Sequence, residues 1–180
     1  VLPTGVQRVL VAGSPGAGKT TLARELARRL DLPHTEMDAL FHGPGWVPRP
    51  EFEADVDALL ASGRWVTEYQ YPSVQPRLLA AAEAVVWLDH PWWLVAGRLA
   101  RRTVVRAVDR RPLYNGNTER VRNWARPSHP LWVVHGRGFA AIRRSNAQAF
   151  GAAARTRGLV VVRLRGARAA ERWLAAQGRT

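Results

Sequence analysis

An α/β fold, a parallel sheet with helices on both faces, is predicted by three features of this sequence. Short apolar, β-branched runs alternate with longer segments whose apolar residues recur at helical spacing. A glycine-rich loop joins the first such run to the first helical segment. Acidic residues, Asp38, Glu68 and Asp89, stand where three of the short runs end, and in open parallel sheets ligands bind beyond the carboxyl ends of the strands.

The first element, Arg8 to Ala12, is a buried-strand pattern that runs straight into Gly13. Gly13-Ser14-Pro15-Gly16-Ala17-Gly18-Lys19-Thr20 fully matches G-x-x-x-x-G-K-[ST], the phosphate-binding P-loop. Thr20 to Leu30 follows as an amphipathic helix with Leu22, Ala23, Leu26, Ala27 and Leu30 on one face. The order strand, glycine loop, helix is what the motif's chemistry requires. The glycines let backbone N–H groups curl round an anion, and the helix N-terminus adds its partial positive charge. Gly13, Gly16, Ala17, Gly18, Lys19, Thr20 and Thr21 are therefore expected to bind a nucleoside triphosphate. Lys19 is set against the β- and γ-phosphates and the Thr20 hydroxyl against Mg²⁺. Lys19 is the only lysine among 27 basic residues; the other 26 are arginines. A compact ammonium on a flexible stem suits this loop better than a planar guanidinium fork.

The later elements follow in turn. Leu32 to Met37 reads as a second strand ending at Asp38, and Phe41 to Pro50 as a Gly/Pro-rich loop carrying Trp46. Glu51 to Ala61 is an amphipathic helix, Arg64 to Glu68 a third strand, and Val74 to Ala82 a short helix. Ala84 to Leu88 is a fourth strand ending at Asp89, and Pro91 opens a long helix to about Val108. Asp109 to Pro130 breaks the pattern, and a polar, arginine-rich loop of that length suggests a lid. Leu131 to Arg157 resumes a helix, Leu159 to Leu164 is a fifth strand, and Ala167 to Gln177 closes the chain as a helix. The expected organisation is a single domain over residues 1–180, with an acceptor-side loop and helix at 39–62 and a lid at 109–130.

Composition narrows the function classes. There are no cysteines, which excludes disulfides and thiolate metal sites. No apolar run is long enough to span a membrane, and the N-terminus lacks a signal-peptide layout, so a cytoplasmic protein, monomer or homodimer, is expected. A net charge of +13 raises nucleic acid as a partner. Near-exclusive use of arginine and the needs of a phosphate site account for the charge as well. A GTPase switch would need a second lysine for its guanine-reading motif, and the chain has none. Phosphoryl transfer asks for a carboxylate near Mg²⁺ and, for a hydroxyl acceptor, a group to take its proton. From local sequence alone, Val85-Val86-Trp87-Leu88-Asp89 looks most like the metal-holding strand end, with Asp89 otherwise a helix cap. Trp46, in the acceptor-side loop, is a candidate ligand contact.

With these pieces placed, the chain resembles the adenylate kinase-like P-loop proteins, and within them the bacterial group labelled DNA topology modulation protein. The resemblance covers nearly the whole chain. Its carriers are the P-loop, Met37-Asp38-Ala39-Leu40-Phe41 with Pro44-Gly45-Trp46, and Trp65 to Tyr71. Val86 to Pro91, Arg98 to Arg102 and Tyr114 to Glu119 complete the set. It implies a five-stranded parallel sheet of order 2-3-1-4-5 with a lid, ATP and Mg²⁺ as cofactors, and phosphoryl transfer to a small-molecule acceptor. It also implies roles for particular residues. Glu68 rises over Asp89 as the group beside Mg²⁺ or the acceptor, leaving Thr20, Glu68 and Asp89 as the metal set. Arg98 and Arg102 cover the nucleotide and reach its phosphates; Arg165 lies near the base. Asp38, Phe41, Trp46, Glu68, Tyr71 and Arg77 form the acceptor side. Lys19, Asp38, Glu68 and Arg102 are the catalytic set, with Arg110, Arg111, Arg120 and Arg122 closing over them. Many relatives carry Asp-Gly-Asn-Tyr where this chain has Glu68-Tyr69-Gln70-Tyr71, a bulkier version expected to reshape the acceptor pocket. The lid has no cysteine cluster, so zinc is not expected. The rival expectation is an ATP-binding, nucleic-acid-associated regulator with little turnover.

Overall fold

A computed structural model describes residues 1–109 and 137–177. Within them five parallel strands form one sheet: β1 (Arg8–Gly13), β2 (His34–Thr35), β3 (Trp65–Glu68), β4 (Ala84–Leu88) and β5 (Val160–Leu164), in the order β2-β3-β1-β4-β5. The helices are α1 (Lys19–Leu30), α2 (Met37–Phe41), α3 (Phe52–Ala61), α4 (Gln75–Ala81), α5 (Trp92–Asp109), α6 (Arg137–Arg157) and α7 (Ala167–Ala175). The sheet order is the one implied by the resemblance. Arg110, Arg111, Arg120 and Arg122, and with them most of the expected lid, lie outside the described residues.

Alternation along the central strands divides the core in two. Leu10 and Ala12 of β1, with Val85 and Trp87 of β4, pack against Phe52, Val56, Leu78 and Phe150 from α3, α4 and α6. Val9 and Val11, with Ala84, Val86 and Leu88, face the other way onto Leu22 and Leu26 of α1 and Trp173 and Leu174 of α7. A strand whose two faces are both buried reads as a continuous apolar run, which is why β1 and β4 stand out in the sequence. Among the described residues no helix is long and apolar enough to cross a membrane.

Two differences from the expected elements fall beside the site. β2 is only His34–Thr35, and the chain turns into α2 at Met37 instead of continuing extended. The Glu36 side chain makes no capping hydrogen bond to this helix. Glu68 Oε2 accepts from the Met37 N–H at 3.0 Å instead, so a carboxylate from the neighbouring strand satisfies an N-terminal donor. A cap supplied from another strand leaves no local signal. After α2, Pro44–Trp46 form a 3-10 turn.

Candidate active site

The register of the sheet brings three strand ends together. Val11 lies opposite Glu68, and Gly13 opposite Leu88, so β3 and β4 flank the mouth of the P-loop. Close packing requires glycine in the loop. A Cβ on Gly13 would sit 3.0 Å from the Leu88 carbonyl oxygen and 3.1 Å from the Ala17 methyl. Gly16 has φ +84, and a Cβ there would sit 3.0 Å from both the Val95 carbonyl oxygen and the Leu99 side chain of α5. The loop is thus pressed between β4 and α5. Gly18 ends it in a left-handed conformation directly before α1.

Lys19 is buried, with Nζ 3.4 Å from the Ser14 carbonyl oxygen. Burial lowers its pKa from 10.5 to about 8; Asp38 and Glu68 pull the other way, and Arg102 adds to the lowering. These four side chains therefore share one electrostatic environment, although they come from α1, α2, β3 and α5. Arg98 Nη1 donates to the Ala17 carbonyl at 3.3 Å, fixing α5 against the P-loop one turn before Arg102. Thr21 is exposed in the first turn of α1.

Glu68 is 1 % exposed. Burial pushes its carboxyl up, but His34, the Met37 N–H and Thr20 outweigh this and hold it below the ordinary glutamate range. His34 Nε2 stands 3.4 Å from Oε1, and Oε1 is a buried oxygen with no hydrogen bond of its own. An ionised, buried oxygen left unsatisfied beside a P-loop threonine is a hard anionic donor of the type Mg²⁺ takes. The residues present fit that ion.

Asp38 and Tyr71 meet from the other side. The Tyr71 hydroxyl donates to Asp38 Oδ1 at 2.6 Å and lies 3.3 Å from His42 Nε2. Burial holds His42 below its ordinary range despite the pull of Asp38, so its ring is neutral at pH 7. Phe41 stacks on Tyr71 with centroids 4.1 Å apart, and Trp46 meets His42 edge-on at 5.0 Å. Tyr71 holds φ +59 and Trp46 φ +63, conformations that cost non-glycine residues free energy. Phe41, Trp46 and Tyr71 are brought together with Asp38.

Three predicted residues are tied into ion pairs of their own. Asp89, expected beside the metal, is bound by Arg143 through both oxygens, at 2.6 and 3.0 Å. Arg163 Nη2 stands 2.6 Å from Oδ2 and Arg165 Nε 3.3 Å from it. Burial would raise this carboxyl, but Arg143 and Arg163 outweigh it and keep it ionised. A carboxylate saturated by three guanidiniums is a poor cation ligand, so Asp89 drops out of the metal set. Arg165, expected near the base, belongs to this cluster and lines a shallow cleft of about 310 Å³ with Asp89, Pro91, Arg143 and Gly166. Arg77, expected on the acceptor side, is drawn onto α3, 2.6 Å from Asp57 and 2.9 Å from Glu53. Sequence reasoning missed His34 and Arg143, and only the parity of His34 with Glu68 across paired strands could have pointed to the former.

Comparisons bear on this geometry. A family model described as "ATPase family associated with various cellular activities (AAA)" matches residues 9–49, from β1 through the P-loop, α1 and α2 to the turn beyond. No curated protein matches the chain. Among solved structures, the chain is similar to a shikimate kinase from Acinetobacter baumannii in complex with shikimate. The TM-score is 0.54 at 16% identity, over 95% of this chain and 90% of that one. The fold is that of small P-loop kinases. A putative kinase from Chloroflexus aurantiacus gives a TM-score of 0.50 at 18% identity, over 95% of this chain and 98% of that one. At such identities the likeness is one of fold.

Proposed function

We propose that this chain is a P-loop kinase: an ATP- and Mg²⁺-dependent phosphotransferase that moves the γ-phosphoryl group to a small acceptor. The observation that carries the reading is the shared environment of Lys19, Asp38, Glu68 and Arg102 at the mouth of a fully formed P-loop. The AAA match over residues 9–49 and the kinase fold agree with it. The closer resemblance to the DNA topology modulation group rests on the sequence segments alone.

In this reading the loop from Gly13 to Thr21, with Ala17 inside it, cradles the phosphates, and Lys19 holds the β- and γ-phosphates. Arg98 and Arg102 cover them from α5. Thr20 and Glu68 are the residues that would hold Mg²⁺, which supplies charge neutralisation at the phosphates. Asp38 faces the acceptor, with Phe41, Trp46 and Tyr71 as its wall. Arg165 keeps a place at the outer edge, where its cleft could seat the nucleotide base. The domain is single, with residues 39–62 on the acceptor side and 109–130 as the lid. A nucleic-acid-associated regulator would owe its binding to surface arginines and give a steep salt dependence.

The test is ADP release from ATP and Mg²⁺ across nucleotides, nucleosides, sugars and amino-hydroxyl compounds, with Lys19→Ala as control. At least one acceptor should raise release more than tenfold above the control. No acceptor-dependent release, with salt-sensitive DNA binding, would favour the regulator.

A further inference from the structure

The charge on the acceptor side runs against the rest of the molecule. The chain carries +13 overall, yet residues 34–83 hold eight acids and three arginines, a net of −5. None of those three arginines is aimed at the site. Arg77 pairs with Glu53 and Asp57, and Arg49 with Asp55 at 2.9 Å. Arg64 donates to the Gln7 side chain and the Asp31 carbonyl, beside the opposite end of β3 from Glu68. Arg24, reaching over from α1, is matched to Glu36. His42 is neutral. Among the described residues of this segment, what remains on the acceptor side is the Asp38 carboxylate, the Glu68 carboxylate, and the rings of Phe41, Tyr71 and Trp46.

Resting on the kinase reading above, we infer that the acceptor is an uncharged or cationic hydroxyl compound, and that phosphate- and carboxylate-bearing acceptors are rejected. An anion placed beside Asp38 would meet a like charge, and the three arginines of residues 34–83 are already engaged elsewhere. Asp38 is suited to a hydroxyl and has no task with a phosphate acceptor. Tyr71 donates to Oδ1 and so fixes the carboxylate plane, leaving Oδ2 as the proton acceptor. In the step, the acceptor oxygen attacks the γ-phosphorus and a new O–P bond forms. The bond from phosphorus to the β,γ-bridging oxygen breaks, its electron pair leaves on ADP, and the acceptor proton passes to Asp38 Oδ2. The proton is later released to water. Tyr71 acts here as a positioning residue.

The experiment measures ADP release from ATP and Mg²⁺ at pH 7.5 with acceptors sorted by charge. Neutral polyols, sugars and nucleosides form one set, amino sugars and amino alcohols a second, and sugar phosphates, sugar acids, shikimate and AMP a third. At least one member of the first two sets should raise release tenfold or more above the acceptor-free rate, and every anion should stay within twofold of it. For that best acceptor, Asp38→Asn should lower kcat at least a hundredfold with ATP affinity unchanged. Tyr71→Phe should lower kcat less and shift the acid limb of the pH profile. An anion that serves as well as any neutral compound, in a Lys19-dependent way, overturns the acceptor class and leaves the kinase intact. No stimulation by any set above the Lys19→Ala rate overturns both.

Discussion

Glu68 and Asp89 end the two strands that flank β1, and the fold treats them in opposite ways. Both are ionised and almost fully buried. Asp89 is saturated by Arg143, Arg163 and Arg165, which tie β4, β5 and α6 together, and Arg163 also lies over the Trp87 ring at 4.4 Å. Glu68 has one oxygen spent on the Met37 N–H; the other has His34 Nε2 at 3.4 Å and Thr20 beside it, neither in full hydrogen-bond geometry. Full satisfaction builds a joint; an unsatisfied buried oxygen builds a site. In sequence Asp89 looks the better metal ligand, and its surroundings reverse that order.

On the Asp89 side, the largest expected effect that could break this contrast is on stability. Asp89→Ala leaves Arg143 and Arg163 facing one another across an emptied position. Both are about 40 % exposed (44% and 40%), which limits the damage. The loss should be about 2 kcal/mol, roughly thirtyfold in the folded-to-unfolded ratio, measured by urea unfolding. ATP affinity of the folded protein should hold within threefold. Intact stability with loss of Mg²⁺-dependent turnover would return Asp89 to the metal site.

A smaller effect follows from Lys19, on the Glu68 side. Its pKa is lowered to about 8, so the ammonium that ATP needs is lost as pH rises through that value. ATP affinity should fall about fivefold between pH 8 and 9, one proton being linked to binding. The Lys19 contribution to the stability of the ligand-free protein has the opposite sign. Between pH 8 and 10.5 the unfolded chain binds the extra proton, so that contribution rises with pH. Calorimetry across this range, against Lys19→Ala, separates the two trends. An ATP affinity flat with pH would mean that Lys19 does not meet the phosphates.

Smallest is the effect of Tyr71→Phe. It removes the 2.6 Å hydrogen bond to Asp38 and keeps the stack on Phe41. Acceptor-stimulated turnover should fall about threefold to tenfold, with stability within about 1 kcal/mol of the parent. An unchanged rate and pH profile would separate Tyr71 from the chemistry.

What the sequence made legible was local. The P-loop is eight consecutive residues whose spacing is its own explanation, and β1 and β4 are unbroken apolar runs because both their faces are covered. The sheet order followed from the resemblance. The roles of Asp89, Arg77 and the start of α2 stayed hidden because their partners are distant in the chain. Arg143 and Arg163 lie 54 and 74 residues beyond Asp89, Asp57 and Glu53 lie 20 and 24 before Arg77, and Glu68 lies 31 after Met37. Each acid or donor had an ordinary local explanation, and tertiary packing chose another.

The central claim is that Glu68 is kept open for the Mg²⁺ that would accompany the reacting phosphates. Glu68→Gln tests it most directly, since its amide oxygen can still accept from the Met37 N–H and so preserve α2. Acceptor-dependent ADP release by this variant should fall at least a hundredfold, with ATP affinity within about threefold of the parent. Retained turnover, or a loss confined to ATP affinity, would contradict the account.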